Sequence, residues 1–127
     1  MGCDIHVFIE VKCVDGWKYV PLAVATDRNY DLLGLLSGVR TEGPHKRAVQ
    51  GVNYDIVLPN DASEYVKKVW DDGCGGDWHT LTLIGIEDVR WLVKHYRRSA
   101  YVKEWLQVME DFIKIGAEDA RVILWYD

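Results

Sequence analysis

The chain has no apolar run approaching the ~20 residues that a membrane-spanning helix needs, which argues against a helical membrane protein. It also lacks an excess of positive charge: 15 Lys and Arg stand against 20 Asp and Glu, a formal charge of −5. Gripping the many phosphates of a duplex demands the opposite sign, so bulk nucleic acid is not an expected partner. Cysteine is scarce, three in all and an odd number. Cys3 and Cys13 lie on one extended segment, roughly 33 Å apart at strand rise, and cannot bridge within it. Reduced thiols are therefore expected. The phosphate-binding Gly-x-x-x-x-Gly-Lys loop is missing, as are Gly-x-Gly-x-x-Gly, His-Glu-x-x-His and Gly-x-Ser-x-Gly. Function cannot be assigned through any of those mechanisms. The start has no basic segment followed by an apolar stretch, so no secretion signal is expected. There is no internal repeat and no low-complexity segment.

What is present suits one globular domain over residues 1–127, with 49% hydrophobic and 28% charged residues, enough to bury a core without staples. The first dozen residues alternate. Cys3, Ile5, Val7, Ile9 and Val11 fall on one side of an extended chain, and Asp4, His6, Phe8, Glu10 and Lys12 on the other. This predicts a strand with one face toward a core and an open polar face. Asp15-Gly16 predicts a short hairpin loop, with Val11 opposite Val20 and Lys12 opposite Tyr19. Helices are expected over 26–37 (Tyr30, Leu33, Leu36), from about 59–63 to Trp70 with Tyr65, Val66, Val69 and Trp70 as the apolar side, over 86–96 (Ile86, Val89, Leu92, Val93, Tyr96), and from Ser99 to Gly116 with Val102, Trp105, Leu106, Met109, Phe112 and Ile113 facing the core. His79 to Leu83 reads as a short strand. The closing run Arg121 to Tyr126 is apolar on both sides and predicts a strand covered on both faces. The expected fold is α+β: a small antiparallel sheet, from the N-terminal hairpin and the C-terminal strand, with about four helices packed on one face.

Two Asp-x-His triplets carry the chemistry that the sequence offers: Asp4-Ile5-His6 and Asp77-Trp78-His79. On a strand, side chains two residues apart point the same way about 7 Å apart. A carboxylate and an imidazole can then converge on one divalent ion, Zn²⁺ or Mn²⁺, if the two triplets meet. Polar residues on an open strand face are in most proteins simply solvated, which is the competing reading. Glu10 is too far along the strand to join His6 on one ion, and His95 reads as surface charge at a helix end. A second constellation suits phosphate. Arg28 and Asn29 fall in the first turn of a predicted helix, where free N–H groups favour an anion, and Arg40, Lys46 and Arg47 follow in an irregular connection. The alternative is that Arg28 pairs with an acidic neighbour and the other cations are solvated. Phe8, Trp17, Tyr19 and Trp78 are candidates to stack on a base, though aromatic side chains mostly serve the core.

The opening Met1-Gly2-Cys3-Asp4-Ile5-His6 resembles that of a group of small proteins encoded by tailed bacteriophages and prophages. Gly16-Trp17, Asp27-Arg28-Asn29-Tyr30, Gly38-Val39-Arg40, Leu58-Pro59 with Asp61 and Ser63, Asp77-x-His79-Thr80 and Val122 to Asp127 are similar in order. Between Asp77 and Leu81-Thr82-Leu83 the spacing is shorter than in that group. The resemblance implies a phage origin and the cytoplasm of the bacterial host, with no activity attached. A polar strand face, anion-holding arginines and available aromatics suit a small phosphorylated ligand, nucleotide-like or a cyclic nucleotide. The leading expectation is capture of such a ligand to counter host defence signalling; a homo-oligomer is compatible with it. The alternatives are a metal-dependent phosphoesterase built on the paired Asp-x-His triplets and an adaptor that binds a host protein.

Overall fold

The structure, a computed structural model, describes residues 5–21, 58–72, 79–95 and 100–126. Alternation in the first segment produces β1 (Ile5–Cys13), which turns into β2 (Gly16–Tyr19). The next described segment holds α1 (Glu64–Asp72). Then follow β3 (His79–Gly85), α2 (Ile86–His95), α3 (Ala100–Lys114) and β4 (Asp119–Tyr126). The four strands form one antiparallel sheet in the order β2-β1-β4-β3. β4 pairs with β1 from Ile5↔Tyr126 to Lys12↔Asp119, so the two ends of the described chain supply the central strands.

The hairpin loop forms one residue earlier than the sequence suggests, which slides the pairing of the two strands by two residues. Cys13 pairs with Gly16 and Lys12 with Trp17, leaving Val14 and Asp15 as the loop. A β-branched valine resists positive φ, and the strained position is taken by Gly16 at φ 120°. Val14 is left 97% exposed at the tip. A slide of two residues keeps every side chain on its expected face. Trp17 and Tyr19 still stand with Lys12 and Glu10, and Val20 still joins the core with Ile9 and Val11.

The ends of α2 and the close of α3 follow from the residues that stand there. Acidic Glu87 and Asp88 open α2 and Lys94 and His95 close it, each sign matching the helix dipole. α3 ends where Gly116 adopts φ 123°, with Gly116 N–H donating to Ile113 and Ala117 N–H to Phe112. Arg90 ties the two helices together by pairing with Glu87 of its own helix and with Glu110 of α3 at 3.2 Å. Their inward stripes, Ile86, Val89, Leu92, Val102, Trp105 and Met109, cover Ile9, Val11, Val122 and Leu124.

The α+β class with an antiparallel sheet is as expected, but the helices do not sit on one face. α1 and the residues before it cover the opposite side, where Phe8, Ile123, Trp125, Leu81, Ala62 and Val66 form a second core. The face read as open and polar is therefore closed: Phe8 is buried and Glu10 is 0% exposed. The reason lies in pairing that alternation cannot show, since Glu10 meets a cation from β4. Three helices lie among the described residues; the fourth, expected over 26–37, falls outside them. β3 is a full member of the sheet rather than a short outlier, and β4 is covered on both sides, as its apolar run implies.

Candidate functional site

At the centre of the α1 face, β1 and β4 place Glu10 opposite Arg121. Arg121 Nε donates to Glu10 Oε1 at 2.8 Å, and both side chains are almost wholly buried. The other carboxylate oxygen accepts the backbone N–H of Ser63 at 2.7 Å. Ser63 stands immediately before α1, and its Oγ accepts the Val66 N–H at 3.4 Å. Glu10 thus supplies an anion at the helix start from within the protein. Nη1 of Arg121 donates to Asp61 Oδ1 at 3.1 Å, and its guanidinium carbon lies 3.9 Å from the centre of the Trp17 ring. One cation therefore holds β1, the hairpin and the approach to α1 together.

Outside this pair lies a groove of about 590 Å³ between the hairpin and the start of α1. Trp17, Tyr19 and Tyr65 supply its rings, with Asp15, Asp61, Glu64, Lys18 and Lys67 around them. Tyr19 and Tyr65 stack at 4.3 Å with their planes 16° apart, and Tyr65 is half exposed. Behind Tyr19 the aromatic contacts continue inward through Phe8 at 5.9 Å to Trp125, 4.7 Å further, and from Trp125 to His6 at 6.1 Å. Burial, and after it the neighbouring Tyr65, push the Tyr19 hydroxyl above its ordinary pKa. Lys18 pairs with Asp15 at 3.3 Å.

The candidate residues read from sequence fare unequally. His6 is on β1, in the row of Trp125; His79 opens β3 and pairs with Tyr126, one row further along. The two histidines thus stand at the same end of the sheet on either side of β4, about 10 Å apart across two strand spacings, in adjacent rows rather than one. A bulge lies between His79 and Thr82, where β3 slips against β4. Asp4 and Asp77 lie outside the described residues, and so do Arg28, Asn29, Arg40, Lys46 and Arg47. Among the described residues no group of three His, Cys, Asp or Glu gathers to hold a metal. Cys13 is a free, half-buried thiol. His95 is exposed at the end of α2, stacked on Trp91 at 4.6 Å.

Sequence reasoning named Trp17 and Tyr19 as stacking candidates but missed Tyr65, Asp61, Lys67 and Arg121. Tyr65 was assigned to the apolar side of its helix, and Arg121 only to the start of a strand. The available signal was the odd charge at each of two positions, Glu10 and Arg121, inside apolar strands: such residues need a partner. No family model, curated protein or solved structure matches the chain. No helix among the described residues is long and apolar enough to cross a membrane.

Proposed function

We propose that this protein captures a small nucleotide-like ligand, its ring held in the groove between the hairpin and α1. The observation that supports this most is the groove itself. Its volume of about 590 Å³ suits a small molecule, and the stacked Tyr19 and Tyr65 offer a half-exposed aromatic plane as its wall. Stacking on such a plane is worth about 1–3 kcal/mol per base. The phosphates are assigned to the cations read from sequence, Arg28, Arg40, Lys46 and Arg47, with Asn29. In this reading the protein acts in the cytoplasm of a bacterial host, as a phage product that sequesters a host defence signal. Thermal-shift measurements against mononucleotides, cyclic dinucleotides and ADP-ribose derivatives test it. Stabilisation that Tyr65→Ala abolishes is expected; no stabilisation by any of them at millimolar concentration overturns it.

A metal-dependent phosphoesterase is the second reading: the backbones of His6 and His79 reach the same end of the sheet, but in adjacent rows, which alternate between its two faces, so this reading requires the register shift after His79 to bring the two imidazoles to one side. Asp4 and Asp77 would complete the ligands, and a bound Zn²⁺ or Mn²⁺ would activate water. Metal analysis of the purified protein decides it: stoichiometric metal that disappears in a His6→Ala/His79→Ala variant supports an enzyme, and metal-free protein rejects it.

A further inference from the structure

We infer that the groove takes the base of a guanine nucleotide, with Asp61 reading its N1–H and N2–H edge. This rests on the nucleotide reading above and narrows it to one base. Three observations lead there. The first is charge. Lys18 pairs with Asp15 at 3.3 Å and Arg121 with Asp61 and the buried Glu10, so in and just behind the groove the carboxylates Asp15, Asp61, Glu64 and Glu10 outnumber the cations Lys18, Lys67 and Arg121. A phosphate entering that space meets more negative charge than positive. An uncharged ring that carries N–H donors meets acceptors instead, so the ring enters and the phosphates remain outside.

The second observation is shape. Tyr65 lines the groove, is half exposed and stacks on Tyr19 at 4.3 Å, so one of its ring faces is already packed and held. A flat bicyclic base fits against such a surface. The third is the state of Asp61. Its Oδ1 accepts Arg121 Nη1 at 3.1 Å while the side chain stays 63% exposed. Arg121 in turn is fixed by Glu10 at 2.8 Å and by the Trp17 ring. A carboxylate anchored at one oxygen by a buried cation loses little freedom when a ligand arrives.

Donor and acceptor patterns then choose the base. Guanine places N1–H beside N2–H₂, two adjacent donors that match the two oxygens of one carboxylate. Hypoxanthine keeps N1–H and lacks the amino group. Adenine sets the N1 lone pair beside its amino group, and that lone pair faces the carboxylate unfavourably. A site built around a charged hydrogen bond discriminates strongly against a ligand that cannot make it.

Titration calorimetry with GMP, IMP and AMP at fixed salt tests the assignment. GMP is expected to bind best, IMP roughly tenfold more weakly for one lost hydrogen bond, and AMP more weakly still. In Asp61→Asn the ratio of GMP to AMP affinity is expected to fall toward one. The wild-type GMP, IMP and AMP series needs no variant, so it stands even if that substitution disturbs folding. Equal binding of GMP and AMP overturns the guanine assignment, a guanine preference that survives in folded Asp61→Asn overturns Asp61 as the group that reads the base, and either result leaves nucleotide capture intact. Failure of all three, together with cyclic dinucleotides and ADP-ribose, removes both.

Discussion

On one face of the sheet Ile9, Val11, Val122 and Leu124 meet Leu92, Trp105 and Met109 through apolar side chains. On the other face the same strands present Glu10 and Arg121 to the approach to one short helix, beside a core that includes Phe8 and Trp125. The first closure is non-directional. Area removed from water stabilises it, and neighbours of similar volume can replace one another. The second is directional. Glu10 has two named partners, the Arg121 Nε–H and the Ser63 N–H, and Arg121 has Glu10, Asp61 and the Trp17 ring. Such bonds fix where the approach to α1 lies relative to the hairpin, and the groove is the space between those two parts. A hydrocarbon face makes a stable fold; the polar face makes a place with defined chemistry.

The contrast breaks most sharply at Arg121. Arg121→Met strands the Glu10 carboxylate in the interior with one backbone N–H, and a loss of about 4 kcal/mol in urea unfolding is expected. Adding Glu10→Leu removes the orphaned charge but leaves the buried Ser63 N–H without its acceptor, so the double variant is expected to recover about half of that loss. A double variant as unstable as the single one would show that something other than the pair holds this face. The apolar face answers differently. Leu92→Ala, at a fully buried position, is expected to lose about 3 kcal/mol through transfer and cavity. Its ligand affinity at the groove should stay unchanged, whereas the Glu10→Leu/Arg121→Met protein, at similar or higher stability, should lose ligand affinity because Asp61 is no longer anchored. Calorimetric titration of the two variants beside wild type sharpens the difference between stability and site.

Those two faces were also unequally legible in the amino-acid sequence. Ile9, Val11, Leu92, Val102 and Trp105 were placed in the core by period alone, because apolar faces follow from spacing of two or 3.6. The faces of the hairpin survived a two-residue error in its register for the same reason. Glu10 was placed in solvent, since alternation reports which side a residue is on and cannot report that a residue 111 positions later supplies its counter-charge. Tyr65 sits on the apolar side of its helix and still ends half exposed, because the groove opens beside it. Long-range polar pairing and the shape of an intervening space are properties of the assembled chain. The candidate site depended on both, and so was only half visible through Trp17 and Tyr19.

Smaller perturbations probe the rim of the polar face. Ser63→Ala removes the hydroxyl that accepts the Val66 N–H but leaves its own N–H on Glu10, so a modest loss of about 0.5–1 kcal/mol is expected in thermal or urea unfolding. A loss several times larger would mean that the α1 start leans on the side chain and not on Glu10.

The smallest expected effect is a titration. Burial holds the Tyr19 hydroxyl above its ordinary value of 10.0, and the nearby Tyr65 adds to it. The folded protein therefore keeps this proton more firmly than the unfolded chain does. The associated stability is fully present below pH 10 and is lost as the pH rises through the raised folded value. Tyr65→Phe removes the lesser cause and keeps the greater, so the shift should narrow without vanishing. The Tyr19 phenolate, isolated by subtracting the absorbance titration of Tyr19→Phe, reports it directly. A phenolate appearing at or below the ordinary value would mean a solvated ring. The aromatic wall of the groove would then be absent, and the distinction between the two faces would shrink to the Glu10–Arg121 pair.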